Sequence, residues 1–284
     1  INMKLRSSLY MALPILGSLA SVGCGSDSDG ESKATQVETP AAKVETILAI
    51  LAHPDDEMMV SPLLAKYARE GATVHLAAAM DGRWGDSNNT LSPEDLITKR
   101  AGEAECSTAA LGLEAPILLG YEDGQAMENI YTIKASIAAL IAEIEPDVLI
   151  TWGPEGGYGH KDHKIVSSIV SDVFQAGSPD GSAWPVSLYY PAFPKDKLKD
   201  DFAPTSPYGY ILQAIWGTTE YDYLEYTVTF NEEDKTAVKS AASCHTSQWN
   251  EATLVDIHQM VDVADYEVLL RKALHKAQGK TSLD

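Results

Sequence analysis

Residues 44–57 read VETILAILAHPDDE, a continuous β-branched and aliphatic run that stops at a histidine, a proline and three consecutive acids. An unbroken apolar run of this length is expected of a strand covered on both faces, as in a parallel sheet. The polar tip is harder to place, because neighbouring carboxylates repel one another and are costly to bury unpaired. Taken alone, His53, Pro54 and the following acids fit a helix start, where the dipole favours negative charge. The remainder of the chain decides whether they do more.

Downstream, strand and helix patterns alternate. Helical periodicity over 58–71 closes at Gly71, and ATVHLAAAM (72–80) reads as a second strand. Residues 92–113 open with a serine cap and acids and end at Gly112, as a helix does. A short strand (115–120), a helix (132–146) stopped by Pro146, a strand DVLITW (147–152) and a helix (162–177) follow. Further strands are expected at 186–190 and 225–230, and helices around 232–243 and 264–276. Short connections between alternating elements imply an α/β fold, a three-layer α/β/α arrangement around a mostly parallel, Rossmann-like sheet. Such sheets build sites at the C-terminal ends of their strands. AHPDDE (52–57) follows the first strand, and GPEGGYGHKDH (153–163) follows the fourth.

The second cluster sharpens the first. His160 and His163 stand at i and i+3 at a helix start and so share a side. Glycines before them let the backbone approach closely. Two imidazoles and a carboxylate from these loops suit a divalent metal with an open coordination position. A cation would also explain why so many acids gather at one sheet edge.

AHPDDE followed about a hundred residues later by GYGHKDH resembles the PIG-L/LmbE-like superfamily of zinc-dependent de-N-acetylases. RAGE (100–103), GYEDG (120–124), EPDVLITWGPEGGYGH (145–160) and AASCHTSQ (241–248) are similar to family blocks and stand in the same order. Lys161 occupies a position where the family commonly has proline. The resemblance implies that His53, Asp56 and His163 hold zinc and that Asp55 is the general base. It further implies that His160 steadies the oxyanion or protonates the leaving amine, with Asp162 fixing His160. Arg100 and Asp123 would contact substrate, an N-acetylated sugar of the N-acetylglucosamine type. Competing readings are an amidase acting on a larger amide conjugate, and a non-catalytic ligand-binding lipoprotein. Glu57 is expected to cap or pair nearby, and His245 and Gln248 match a block without an assigned role. Arg83 and Trp84 stand where they would line a sugar cleft or anchor a loop, and Tyr158 where it would gate a pocket. His75, within a strand, fits a core or face histidine, and His258 and His275 fit the surface.

The N-terminus is a different kind of segment. Lys4 and Arg6 precede a short apolar stretch ending in small residues at Cys24, as in a secretory signal (1–23). Val22, Gly23 and Cys24 resemble the lipobox of bacterial lipoproteins, although Ser21 stands where that pattern prefers leucine. Residues 24–42 then form a lipidated cysteine and flexible tether, and 43–284 a single domain. The expectation is an exported lipoprotein facing the periplasm or exterior, touching the membrane only through Cys24. The net charge is −20, and −22 for a chain beginning at Cys24, which argues against nucleic acid as a partner. Cys106 and Cys244 are the other cysteines, and the sequence leaves open a disulfide or a buried free thiol.

Overall fold

The computed structural model describes residues 44–275, leaving out 87–89, 180, 186, 195–202, 207–208, 210–213, 215, 225 and 264–266. The expected signal, Cys24 and tether lie outside the described residues. No described helix is long and apolar enough to cross a membrane.

The apolar run at 44–51 becomes β1 (Thr46–Leu51), and Ile47 through Leu51 are all buried. It lies in the middle of the sheet, parallel to β2 (Thr73–Met80) on one side and β4 (Val148–Ile150) on the other. Next to β2 is β3 (Ile117–Tyr121), and next to β4 is β5 (Ser187–Pro191), both parallel to their neighbours. The full sheet continues through β9 (Glu267–His275) to β8 (Tyr226–Thr229), giving the order β3-β2-β1-β4-β5-β9-β8. A separate two-stranded ribbon pairs β6 (Phe193–Pro194) with β7 (Thr218–Thr219).

Helices flank this sheet. The first group is α1 (Ser61–Arg69), α2 (Pro93–Leu111) and α5 (Glu232–Cys244), which bury Ala65, Leu111, Val238 and Ala241 among themselves. The second is α3 (Ile130–Ile144) and α4 (Lys161–Ala176), whose Ile133, Ile137, Val166 and Val170 join the main core. Helix termini follow the local chemistry. Ser92 accepts a hydrogen bond from the Asp95 amide to start α2, and Gly112 ends it with φ 74°. Asn231 and Asp234 form a reciprocal capping box at the start of α5.

The strand order reverses direction after β3, so the chain leaves β1 towards β2 and later returns to β1's other side as β4. The crevice beyond the C-terminal ends of β1 and β4 is therefore a topological switch point, where open α/β sheets place ligands. Both polar clusters arrive there.

One expectation fails at the end of the chain. The expected helix over 264–276 is the antiparallel strand β9, and the preceding helix α6 (Glu251–Val263) is where helical structure lies. Residues 267–275 pair with both β5 and β8. Their sequence, EVLLRKALH, suits a helix as well as a strand, and two flanking backbones outweigh that weak preference.

Candidate metal centre and active site

The loop after β1 makes a tight turn. His53 and Asp56 are buried, and a short 3-10 turn (Asp56–Met59) leads into α1. Asp56 Oδ2 accepts hydrogen bonds from the amides of Ala52 and His53 and from Trp152 Nε1, each at 2.9 Å. Its Oδ1 faces His163 Nε2 at 3.3 Å. From the other loop, His163 lies in the first turn of α4, buried, with Nδ1 3.2 Å from the Gly156 carbonyl. His53 Nδ1 and His163 Nε2 stand 3.1 Å apart, and His53 Nδ1 is 3.8 Å from Asp56 Oδ2.

The outer contacts fix the tautomers. A carbonyl takes the His163 Nδ1 proton, which leaves a lone pair on Nε2. Asp123 Oδ1, 3.1 Å from His53 Nε2, takes that ring's proton and leaves a lone pair on Nδ1. Two imidazole nitrogens and a carboxylate then stand within 3.8 Å of one another, a donor set that suits a divalent cation. The surrounding field is consistent with this. Burial pushes the His53 pKa down, yet the carboxylates of Asp123, Asp162 and Asp56 overcome it and hold it well above the ordinary value. Asp56 is buried too, but the two imidazoles keep it well below the ordinary carboxylate range. The same carboxylates would offset the charge of a cation held between these rings.

Among the described residues, two groups of three offer ligand atoms within 4.8 Å of one another: His53, His160 and His163, and His53, Asp123 and Asp162. Both share His53. In the first, His160 caps α4, and its Nδ1 already accepts the Asp162 amide at 3.3 Å. In the second, Asp123 and Asp162 face the outer nitrogen of His53, where they orient the ring. His53 Nδ1, His163 Nε2 and the Asp56 carboxylate form a third cluster, with separations of 3.1, 3.3 and 3.8 Å.

Asp55 sits beside this set without joining it. Its backbone has φ 129° and ψ −18°, a conformation costing a non-glycine residue about 1–3 kcal/mol. Burial raises its pKa above the ordinary value despite the Arg100 guanidinium, which leaves a carboxylate better suited to accept a proton. Arg100 is only 2% exposed and donates to the carbonyls of Gly82 and Pro54 and, at 2.7 Å, to Asp55 Oδ1. In this structure it grips the expected base. Asp123 likewise engages His53, and the Asp81 carboxylate accepts its amide. The carboxylate of Asp162 accepts the Gly124 amide and faces His53, so its bond to His160 runs through its backbone N–H.

His160 is half-buried, its ring centroid 4.9 Å from that of His53 and 4.6 Å from that of His163. Burial and the two neighbouring imidazoles lower its pKa. Tyr158 stands beside both rings of the second cluster, and burial and nearby acids push its phenol up, so it stays protonated. Arg83 is tied to Asp81 at 2.6 Å and 2.9 Å, Trp84 is exposed, and Gln248 donates to the Gly85 carbonyl. His245 and Glu57 are both buried and paired at 2.6 Å. His75 is half-buried in β2, and His258 Nε2 meets the Lys239 carbonyl. Cys106 and Cys244 form a disulfide joining α2 to α5.

Trp152, just beyond β4, plays a part that the sequence reading did not assign. It bonds Asp56 and stacks on His163, and its place at the end of a strand leading into the second cluster was the available signal.

Residues 48–174 match the PIG-L family model, described as GlcNAc-PI de-N-acetylase. A 1D-myo-inositol 2-acetamido-2-deoxy-alpha-D-glucopyranoside deacetylase of Thermobifida fusca is 32% identical over 189 aligned positions, covering 55% of this chain and 65% of the relative. A protein of the same name from Nocardiopsis dassonvillei is 28% identical over 269 positions, covering 78% and 93%. The chain spans between 46% and 65% of the length of four such curated relatives. Among solved structures, N,N'-diacetylchitobiose deacetylase from Pyrococcus horikoshii superposes with a TM-score of 0.64 at 16% identity, covering 84% of this chain and 87% of that one. That likeness is one of fold. Both polar clusters lie inside the residues that match the PIG-L family model.

Proposed function

We propose that this chain is a zinc-dependent N-deacetylase that hydrolyses the acetamide of an N-acetylated sugar of the N-acetylglucosamine type, giving acetate and a free amine. The observation that carries the reading is the convergence of His53 Nδ1, His163 Nε2 and Asp56 Oδ1 beside a carboxylate, Asp55, that is not among them. The family description and the names of the relatives supply the substrate class. His₂-carboxylate donor sets with an open position favour zinc.

His53, Asp56 and His163 would hold the ion, which when bound supplies Lewis acidity for activating water and polarising the acyl oxygen. The chain's own groups then divide the proton work. Asp55 accepts a proton from the attacking water, its raised pKa improving it as a base. Arg100 restrains the carboxylate so that it does not swing into the ligand position. His160, half-buried beside the rings of His53 and His163, hydrogen-bonds the acyl oxygen or passes a proton to the departing nitrogen. Asp123 and Asp162 keep the His53 ring oriented throughout.

The test is acetate release from a panel of N-acetylated sugars, using chelator-stripped protein with zinc added back. Zinc-dependent release from an N-acetylglucosamine compound is expected. Stoichiometric zinc binding without acetate release from any of them would reject the reading.

A further inference from the structure

Glu57 is buried, charged and apart from the converging ligand atoms, yet three donors hold it. Ser107 Oγ and His245 Nε2 both donate to its Oε1, at 2.5 Å and 2.6 Å. Its Oε2 accepts the backbone N–H of Asp55 at 3.1 Å. That amide belongs to the residue with φ 129°. The two donors on the far side come from α2 and from the end of α5, and each directly follows a half-cystine: Cys106 precedes Ser107, and Cys244 precedes His245. A second tie lies alongside, where Glu103 of α2 accepts from the Ser247 amide at 2.7 Å and the Ser247 hydroxyl at 2.6 Å.

We propose that Glu57 is a positioning residue for the reaction. It holds the strained Asp55 backbone in the conformation that aims the base, and the Cys106–Cys244 bridge fixes the two side chains that hold Glu57. The inference rests on the reading of Asp55 as the base. A strained backbone persists only where its surroundings over-determine it. Here Arg100 fixes the carboxylate end of Asp55 and Glu57 fixes its amide end. Glu57 in turn cannot shift unless Ser107 or His245 moves, and the bridge ties those two together across 138 residues of chain. Cys106 is exposed, so a reductant can reach the bridge without unfolding the core.

The test is a double-mutant cycle on the zinc-loaded enzyme, with acetate release from N-acetylglucosamine, zinc content and exchange of the Asp55 amide as readouts. Glu57→Gln should lower kcat on the order of 100-fold, with full zinc occupancy and KM within about three-fold. In an Asp55→Asn background the same change should cost less than about two-fold, because the positioned group is already gone. Ser107→Ala and the double variant Cys106→Ser/Cys244→Ser should fall in between, and both should speed exchange of the Asp55 amide. His245→Gln, which keeps a donor, should recover most of the rate lost in His245→Ala. An equal loss from Glu57→Gln in both backgrounds would overturn the proposal, as would unchanged Asp55 amide exchange in the Glu57 and Ser107 variants. Should Asp55→Asn instead deacetylate like the parent, the reading of the base itself falls; the amide-exchange arm still reports on Glu57.

Discussion

Trp152 lies flat on the imidazole of His163, with ring centroids 4.4 Å apart and planes 7° from parallel. The same indole donates to Asp56, so one side chain orients a candidate ligand from each loop. Trp152→Phe keeps the stack and removes the donor. Zinc affinity should fall roughly 10–100-fold, the usual cost of losing a group that orients metal ligands. Competition with a chelator of known affinity measures it, and an unchanged affinity would show that the indole N–H does nothing for Asp56.

The two histidines of the second loop should separate cleanly. His163→Ala removes a lone pair from the convergence and should abolish stoichiometric zinc and turnover together. His160→Ala should leave zinc bound and lower kcat by about 10²–10⁴-fold, the range for a lost proton-transfer group. Metal analysis of the purified variants decides it; zinc lost with His160 rather than His163 would reverse the assignment.

Asp55→Asn preserves shape and removes the base. Zinc content should match the parent while turnover falls by about 10²–10⁴-fold. Single-turnover acetate release is the direct measurement, and near-normal chemistry would require another base.

The parallel sheet and its site-bearing edge were legible because aliphatic runs such as 44–51 and 147–152 are unambiguous and each ends in chemistry. The paired loops together with the family resemblance singled out His53, Asp56 and His163, and the structure brings these three side chains within 3.8 Å of one another. What lay beyond sequence was who holds them. The grip of Arg100 on Asp55, the turn of the Asp162 carboxylate towards His53, and the Glu57–His245 contact all link residues 45 to 188 positions apart. Periodicity carries no such information. The strand at 267–275 was missed for a related reason: its preference is weak, and its partners decide it.

Acid should weaken the join between α1 and α5. Asp234 accepts from Arg69 Nε at 2.8 Å and from its terminal nitrogen at 3.0 Å. Burial opposes its charge, but Arg69 and the Asn231 amide win, holding its pKa below the ordinary carboxylate value. The unfolded chain therefore takes up this proton first. The contribution is complete above about pH 5, and it fades as pH drops past about 4 towards the lowered folded value. Melting curves of Asp234→Asn and the parent should differ most near neutrality and converge towards pH 3. A gap that widens in acid would reverse the sign.

The strand β9 also closes the sheet on the far side of β5 and sends Arg271 back to Glu155, at 2.7 Å, in the loop that delivers His160. Cutting the chain before residue 267 would leave β5 with a bare ladder of amides and carbonyls. Such an edge recruits other strands. A shortened protein should lose solubility through self-pairing, and its second loop would lose an anchor about a hundred residues away in sequence, so any trimming for crystallisation or display belongs elsewhere.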